Sequence, residues 1–438
     1  MFDLPKYGDG ICLARLTALL DVLAIDRDQL SRVAVVITGS NGKGSTAAFC
    51  ASIGRAAGLR TGLFTSPHLY RFNERFQIDG SPIDDTCLKD LMAQVTDAVD
   101  DVSRRRKERF GAFEAQFALA CLYFQQEGCT FAVFEAGIGG RYDPVRLVGS
   151  PTTCVASIDF EHVSLLGNSL PLIASDKSDA CAAGGAIIYG ENCQPLRDHL
   201  LAYNRNRDIE SLFVRDEIDI AAERTDDTGQ TFDLHFEGHR IRDLTINLSG
   251  AFQINNAAIA ASLFLRWMRT LSQPVAPAAL ERAVRNGLSQ TRWPGRLEVI
   301  RHDPLTVIDV GHTPDGITRA LAGLHQTHGK DNWLLVIGVS HDKSADEIVA
   351  LLAPAFDTIV CTSAHHKGAP PEQIAAAARR ANPTAAVHVA ATIQDAAELS
   401  TTLAAAANRG IFVAGGLFLA IEYATTIKGE DPRSLAFF

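Results

Sequence analysis

At 438 residues the chain is long for one domain and comfortable for two or three. Its 47% hydrophobic and 21% charged residues are ordinary for a soluble globular protein, and a formal net charge of −10 argues against a general nucleic-acid binder, which carries a basic footprint. No apolar run reaches the roughly 20 residues of a membrane span. The N-terminus "MFDLPKYGDG" has no basic start followed by an apolar core, so no secretory signal is expected. Nine scattered cysteines without a C-x-x-C pair indicate neither a zinc site nor a disulfide framework, and a reducing cytoplasm is the expected compartment.

In chain order, "RVAVVITG" reads as a buried strand and "KGSTAAFCASIGRAAG" as a helix closed near Gly58. "RTGLFTSPH" is the next strand with its loop. "RRRKER" (104–109) reads as a solvated helix face or loop, as charge runs usually do. "FEAQFALACLYFQQEG" is an apolar-faced helix, followed by the strands "CTFAVFEAGIGG" and "PTTCVASIDFEH". This alternation predicts a mostly parallel sheet with helices on both faces. From Ser211 to Gly250 the apolar–polar alternation with turn residues predicts a small antiparallel patch, and "AFQINNAAIAASLFLRWM" returns to helix. After Pro294-Gly295 the runs "PLTVIDVGH", "NWLLVIGVSHDK", "DTIVCTSA" and "GIFVAGGL", separated by helical sequence, predict a second α/β unit of about 140 residues. The boundary is placed near Pro294, giving units 1–293 and 294–438.

Between the first strand and helix lies Gly39-Ser40-Asn41-Gly42-Lys43-Gly44-Ser45-Thr46. A glycine-rich turn at a helix start aims backbone N–H groups and the positive helix end at a phosphate, and Lys43 adds a point charge. The spacing departs from G-x-x-x-x-G-K-[ST]. A connecting turn of no function is the bland alternative, but strand, glycines, lysine, hydroxyls and helix coincide. Three further strands end in polar residues: Ser66 and His68, then Glu135, then Glu161 and His162. Strand ends line the ligand crevice of such sheets. His162 alone would read as a hydrogen-bonded structural histidine. Together, a hydroxyl, a carboxylate and an imidazole can complete a Mg²⁺ site beside a triphosphate.

The segments "ITGSNGKGST", "LFTSPHLYRFNERFQIDG", "VFEAGIGGRYD", "FEHVSLLG", "LSGAFQINNAAIA", "WPGRLEVI" and "IDVGHTPDG" follow one another in this order, and together they resemble the dihydrofolate synthase/folylpolyglutamate synthase family of the Mur ligase superfamily, from about Tyr7 to Leu419. The resemblance implies a P-loop-type, mostly parallel first unit and a smaller Rossmann-like second one. It implies ATP on Gly39, Asn41, Gly42, Lys43, Gly44, Ser45 and Thr46, with Asn256, Arg296, Asp309 and His312 on adenine, ribose and phosphates. It implies two Mg²⁺ ions, with Ser66, Glu135 and His162 as ligands and Lys177 as a carbamate able to hold the second. Lys43, Lys177 and His162 are the implied catalytic residues, and Asp342 and Lys343 in "GVSHDKS" match a family loop of the second unit. The implied reaction activates a carboxylate as an acyl phosphate, which the amino group of glutamate then attacks. The implied partners are small molecules, with neither nucleic acid nor membrane, and the implied state is a monomer.

Departures cluster near the expected acceptor. Tyr142-Asp143-Pro144-Val145-Arg146 stands for the family's L-D-A-T-N, Phe160-Glu161-His162 for L-D-H, His312-Thr313-Pro314 for H-N-P, and Phe252-Gln253 for H-Q. Ligation of glutamate to dihydropteroate or a folate γ-carboxyl is therefore the leading expectation. The same chemistry on another carboxylic acid is the alternative. A P-loop kinase or NTPase would show an aspartate-ended second strand and no likeness in the second unit. A silent nucleotide-binding module would bind ATP without releasing phosphate.

Overall fold

The computed structural model describes residues 4–5, 8–10, 12–226, 229–341 and 345–437. Its largest sheet has eight strands in the spatial order Ser81–Pro82, Phe76–Ile78, Thr61–Phe64, Phe131–Glu135, Ala34–Thr38, Thr152–Val155, Ala186–Tyr189 and Glu210–Phe213. Phe76–Ile78 pairs antiparallel with both of its neighbours, and from Thr61–Phe64 onward every pairing is parallel. The run Ala34–Thr38 is apolar throughout because both of its faces are covered. Val35 and Ile37 join the core that contains the helices Lys43–Ala56, Phe252–Met268 and Pro277–Gln290. Ala34 and Val36 face the opposite core, built on Leu13–Val22, Asp85–Arg106 and Ala112–Gln126. The three-residue stretch Arg104, Arg105 and Arg106 is the last turn of Asp85–Arg106, where cations complement the carbonyl end of the helix.

A three-stranded antiparallel sheet, Asp219–Asp226, Gly229–Phe236 and His239–Ile246, adds Phe232, Leu234, Phe236, Ile241 and Leu244 to the first of these cores. The patch expected over 211–250 is therefore present, with one difference at its start. Glu210–Phe213 instead forms the parallel edge of the large sheet beside Ala186–Tyr189. The second sheet has six strands in the order Glu298–His302, Leu305–Ile308, Gly410–Ala414, Trp333–Ile337, Thr358–Cys361 and Ala386–Val389. Its first pair is antiparallel and the rest are parallel. Both of its faces carry apolar cores of their own.

The strand order places Ala34–Thr38 at the centre of the large sheet. From there the chain crosses to Thr61–Phe64 on one side, while Thr152–Val155 begins the run to the other. That reversal opens a crevice at the strand C-terminal ends. The expected phosphate loop, Ser66, Glu135 and the 157–162 segment all follow strands that end there.

Candidate active site

The loop 39–42 leads directly into the helix Lys43–Ala56. Gly42 has a left-handed backbone, φ +84°, and a Cβ at that position would meet Asn256 Oδ1 at 2.6 Å. Glycine is thus required twice over, by conformation and by space. Asn256, from the helix Phe252–Met268, is buried under the loop and donates from Nδ2 to Gln253 Oε1 at 3.0 Å. The additional Gly44 lies against the Trp293 indole, which a Cβ would approach to 2.8 Å. Lys43 Nζ curls back to the carbonyl oxygens of Gly39 (2.8 Å) and Ser40 (3.2 Å). The first-turn N–H groups of the helix have no partner within it, as at any helix start. The buried Thr46 hydroxyl makes no hydrogen bond among the described residues. N–H groups without a partner inside the helix, a lysine and an unsatisfied hydroxyl are the donor set that a nucleotide phosphate with its metal would use.

Glu135 closes its strand as a buried residue, and one carboxylate oxygen accepts from the Ser66 backbone N–H at 3.1 Å. Burial pushes its acid up to about 7, against the pull of Lys43, the Ser66 N–H and Arg296. Two residues beyond Ser66, His68 is buried between Arg75 and the C-terminal segment. Arg75 Nε donates to His68 Nδ1 at 2.9 Å, so Nε2 carries the ring proton and donates to the Ala436 carbonyl at 2.8 Å. Burial and the Arg75 cation hold this imidazole down at about 4, which keeps it neutral.

Lys177, on the helix Leu170–Ser178, is fully buried and forms an ion pair with Glu161. Burial lowers its affinity for a proton, and Glu161 offsets only part of that. Burial pushes Glu161 the other way, but Lys43 and Lys177 outweigh it and hold the carboxyl below its usual range. His162 is exposed, with a left-handed backbone (φ +42°), and caps the short helix Val163–Leu166. Among the described residues no three His, Cys, Asp or Glu side chains converge as a metal cage. A cation here would therefore draw on hydroxyls, nucleotide phosphates and water beside one or two protein carboxylates, as Mg²⁺ commonly does.

The second unit closes the crevice. A cleft of about 490 Å³ is lined by Gly44, Ser66, Glu135 and Trp293 from the first unit and by Arg296 and His312 from the second. Asp309 is buried at the end of its strand, and both of its oxygens are engaged. Oδ1 accepts from the Gly311 N–H at 2.7 Å and Oδ2 from the Leu297 N–H at 3.1 Å. Asp309 therefore braces the two turns that carry Arg296 and His312. Lys43, Asn256, Lys177 and His162 are not on the cleft wall, although Lys43 is close enough to act electrostatically on both Glu135 and Glu161. Asp342 and Lys343 lie outside the described residues.

The divergent loop folds around Asp143. Its Oδ2 accepts from the N–H groups of Gly137 (2.9 Å) and Ile138 (2.8 Å), and its Oδ1 from Val145 (3.0 Å). Burial raises this acid to about 6 despite those donors. Tyr142 is 54% exposed, and Arg146 is exposed with Nη1 on the Arg141 carbonyl at 2.8 Å. Sequence reasoning did not identify Trp293 as the wall beside Gly44 or Arg75 as the partner of His68. It placed Glu161 at a strand end without giving it a partner. A tryptophan next to Pro-Gly-Arg and an acid next to His162 were the available signals.

The residues 295–417 match the model of the Mur ligase glutamate ligase domain. The folylpolyglutamate synthase of Lacticaseibacillus casei is 31% identical over 358 residues, 81% of each chain. A solved structure of Mycobacterium tuberculosis folylpolyglutamate synthase complexed with ADP and AMPPCP superimposes with a TM-score of 0.85, at 28% identity and 96% coverage of both chains. An FPGS–AMPPCP–folate complex matches with a TM-score of 0.79 at 27% identity, covering 97% of both. The match runs through both sheets and the cleft between them, and the chain accordingly belongs to the folylpolyglutamate synthase/dihydrofolate synthase family of ATP-dependent, ADP-forming ligases.

Proposed function

We propose that the chain joins glutamate to the carboxyl group of a folate-class acceptor, dihydropteroate, a folate, or both. The observation that carries this reading is the shared cleft, where Gly44, from the head of the helix behind the glycine-rich loop, and Glu135 of one unit face Arg296 and His312 of the other. The ADP, AMPPCP and folate complexes of the relatives support it. In this scheme the acceptor carboxylate attacks the γ-phosphorus of ATP, and ADP leaves. The glutamate amine then attacks the acyl carbon, an amide forms and phosphate departs.

Lys43 and the loop N–H groups hold the outer phosphates and offset the repulsion between carboxylate and triphosphate. Arg296 and His312 hold the nucleoside from the cleft wall, with Asp309 bracing their turns and Asn256 beneath the loop, and closure of the second unit keeps water from the acyl phosphate. Ser66, Glu135 and His162 would hold Mg²⁺, which supplies charge neutralisation at the transferring phosphoryl group when bound. Lys177 belongs to the same reading as a carbamate site for a second Mg²⁺. Its burial favours the neutral amine that reacts with CO₂, and the new anion would replace Glu161 as the partner of a cation. Turnover of Lys177→Ala that is normal and indifferent to bicarbonate would remove this assignment. A cytoplasmic monomer completes the picture, and light scattering of the purified protein checks the oligomeric state.

The test is ADP formation by the purified protein with ATP and Mg²⁺, crossing dihydropteroate, tetrahydrofolate and unrelated carboxylic acids against several amino acids. Turnover requiring a pterin acceptor and glutamate is expected. No turnover with either pterin overturns the folate reading. One observation favours a non-folate acid as a second reading: Arg146 adds a fixed cation on the divergent loop, beside exposed Tyr142. Acceptor affinity unchanged in Arg146→Asn would count against it.

A further inference from the structure

Asn41 is gripped from both sides. Its backbone N–H donates to Ser157 Oγ at 2.7 Å, and its carbonyl accepts from the same hydroxyl at 2.8 Å. Ser157 lies just beyond the strand Thr152–Val155, so these bonds tie the loop to the first unit. The side chain turns the other way, across 274 residues of sequence, where Nδ2 donates to Asp315 Oδ2 at 3.0 Å. Oδ1 accepts from Thr313 Oγ1 at 3.2 Å. Thr313 is the N-cap of the helix Pro314–His328 and also accepts from the Gly316 N–H at 3.1 Å. Asp315 is steadied in turn by Arg319 Nε at 2.8 Å.

We propose that Asp315 and Thr313 are positioning residues for the nucleotide: by fixing the Asn41 side chain they set the phosphate-loop backbone, so that ATP affinity depends on where the second unit's helix sits. The inference rests on the reading of 39–46 as the phosphate site. A glycine-rich loop loses much conformational freedom on binding, and bonds that order it beforehand lower that cost. Asn41 has no spare hydrogen-bonding group with which to adopt another position at no loss, since its N–H, its C=O and both side-chain ends are all engaged. Movement of the second unit must therefore either carry the loop with it or break bonds to a carboxylate. Both positions lie outside the ATP contacts implied by the resemblance, and Thr313 stands where the family has asparagine.

The experiment is calorimetric binding of ADP with Mg²⁺ to the full chain, to Asp315→Ala and to Asp315→Asn. It is paired with hydrogen exchange of the nucleotide-free proteins and steady-state kinetics in ATP. Asp315→Ala is expected to weaken ADP binding about five-fold, part of the worth of a hydrogen bond to a charged group. The loss should fall on KM for ATP rather than on kcat. Amides 39–44 should exchange faster, while the strand Trp333–Ile337 is unchanged. Asp315→Asn keeps an acceptor oxygen for Asn41 Nδ2 and should recover most of the affinity. Wild-type affinity and exchange in Asp315→Ala would overturn the proposal. Equal impairment in both variants would also overturn it, by moving the effect to the Arg319 ion pair. Should the unaltered protein bind no ADP, the phosphate-loop reading falls first and this inference with it.

Discussion

At the residue scale, an acceptor carboxylate approaching a triphosphate meets like charge throughout, and Lys43 is the cation at the head of the loop that would receive the phosphates. Lys43→Ala is expected to abolish ADP formation. Its thermal midpoint without ligand should match wild type, because among the described residues the hydrogen bonds of Nζ go to two carbonyl oxygens of its own loop. ADP at about 100 times its Kd should stabilise the wild type by about 2.7 kcal/mol and the variant hardly at all. Retained turnover would remove the assignment. Asp143 carries a different kind of consequence, since it satisfies three backbone N–H groups of the divergent loop. Asp143→Ala should cost about 2–4 kcal/mol by leaving those donors unmet. Its acid sits at about 6 in the fold, above the 3.8 of a free aspartate. Between those values the folded chain binds more protons than the unfolded one, so this group's contribution is fully present below the lower value and is lost as pH rises through the upper. Urea midpoints should therefore favour wild type over Asp143→Asn more at pH 4 than at pH 7. A constant gap would contradict the raised acid.

At the scale of elements, the helix Phe252–Met268 bears on the site because Asn256 on its first turns underlies Gly42. Its far end is anchored by Trp267, whose ring lies 4.5 Å from Phe131 and whose Nε1 donates to the Arg32 carbonyl at 3.1 Å. Trp267→Ala should destabilise the protein by about 3–5 kcal/mol in denaturant titration and should weaken ADP binding as Asn256 loosens. Elements of this kind were legible in the sequence. The apolar run into the glycine loop, the long apolar-faced helices and the alternation after Asp219 each carry a period that survives without tertiary context. Ala186–Tyr189 and Phe76–Ile78 were not, because four or three residues are too few to show a period. Glu298–His302 and Ala386–Val389 are half-exposed edge strands whose residue types resemble loop. At the site, the loop and the strand-end acids were visible, since chain order alone puts them at one edge of the sheet. Asn41 with Asp315, Lys177 with Glu161 and His68 with Ala436 were hidden, because each pairing is created by folding and none has a spacing signature.

At the scale of the whole molecule, the two sheets meet along the cleft, and the C-terminal segment adds a second tie. Phe437 is buried against Phe418 and His366, at ring distances of 4.8 and 5.3 Å, while the Ala436 carbonyl accepts a hydrogen bond from His68 Nε2 in the first unit. Removing the chain from Asp431 onward should lower stability by about 2–4 kcal/mol through the lost Phe437 burial. It should also speed hydrogen exchange in 67–75, the segment that walls the cleft. Unchanged exchange there would mean that the tie does not hold the loop.

The proposed reaction turns a carboxylate into an acyl phosphate at the expense of ATP before glutamate adds. An acceptor labelled with ¹⁸O in both carboxyl oxygens tests it directly, with the released phosphate analysed by mass spectrometry after turnover in unlabelled water. One ¹⁸O atom is expected in each phosphate released, together with an amide product that retains the other. Phosphate free of label, formed at the same rate, would mean that ATP is hydrolysed by water and would contradict the ligase mechanism.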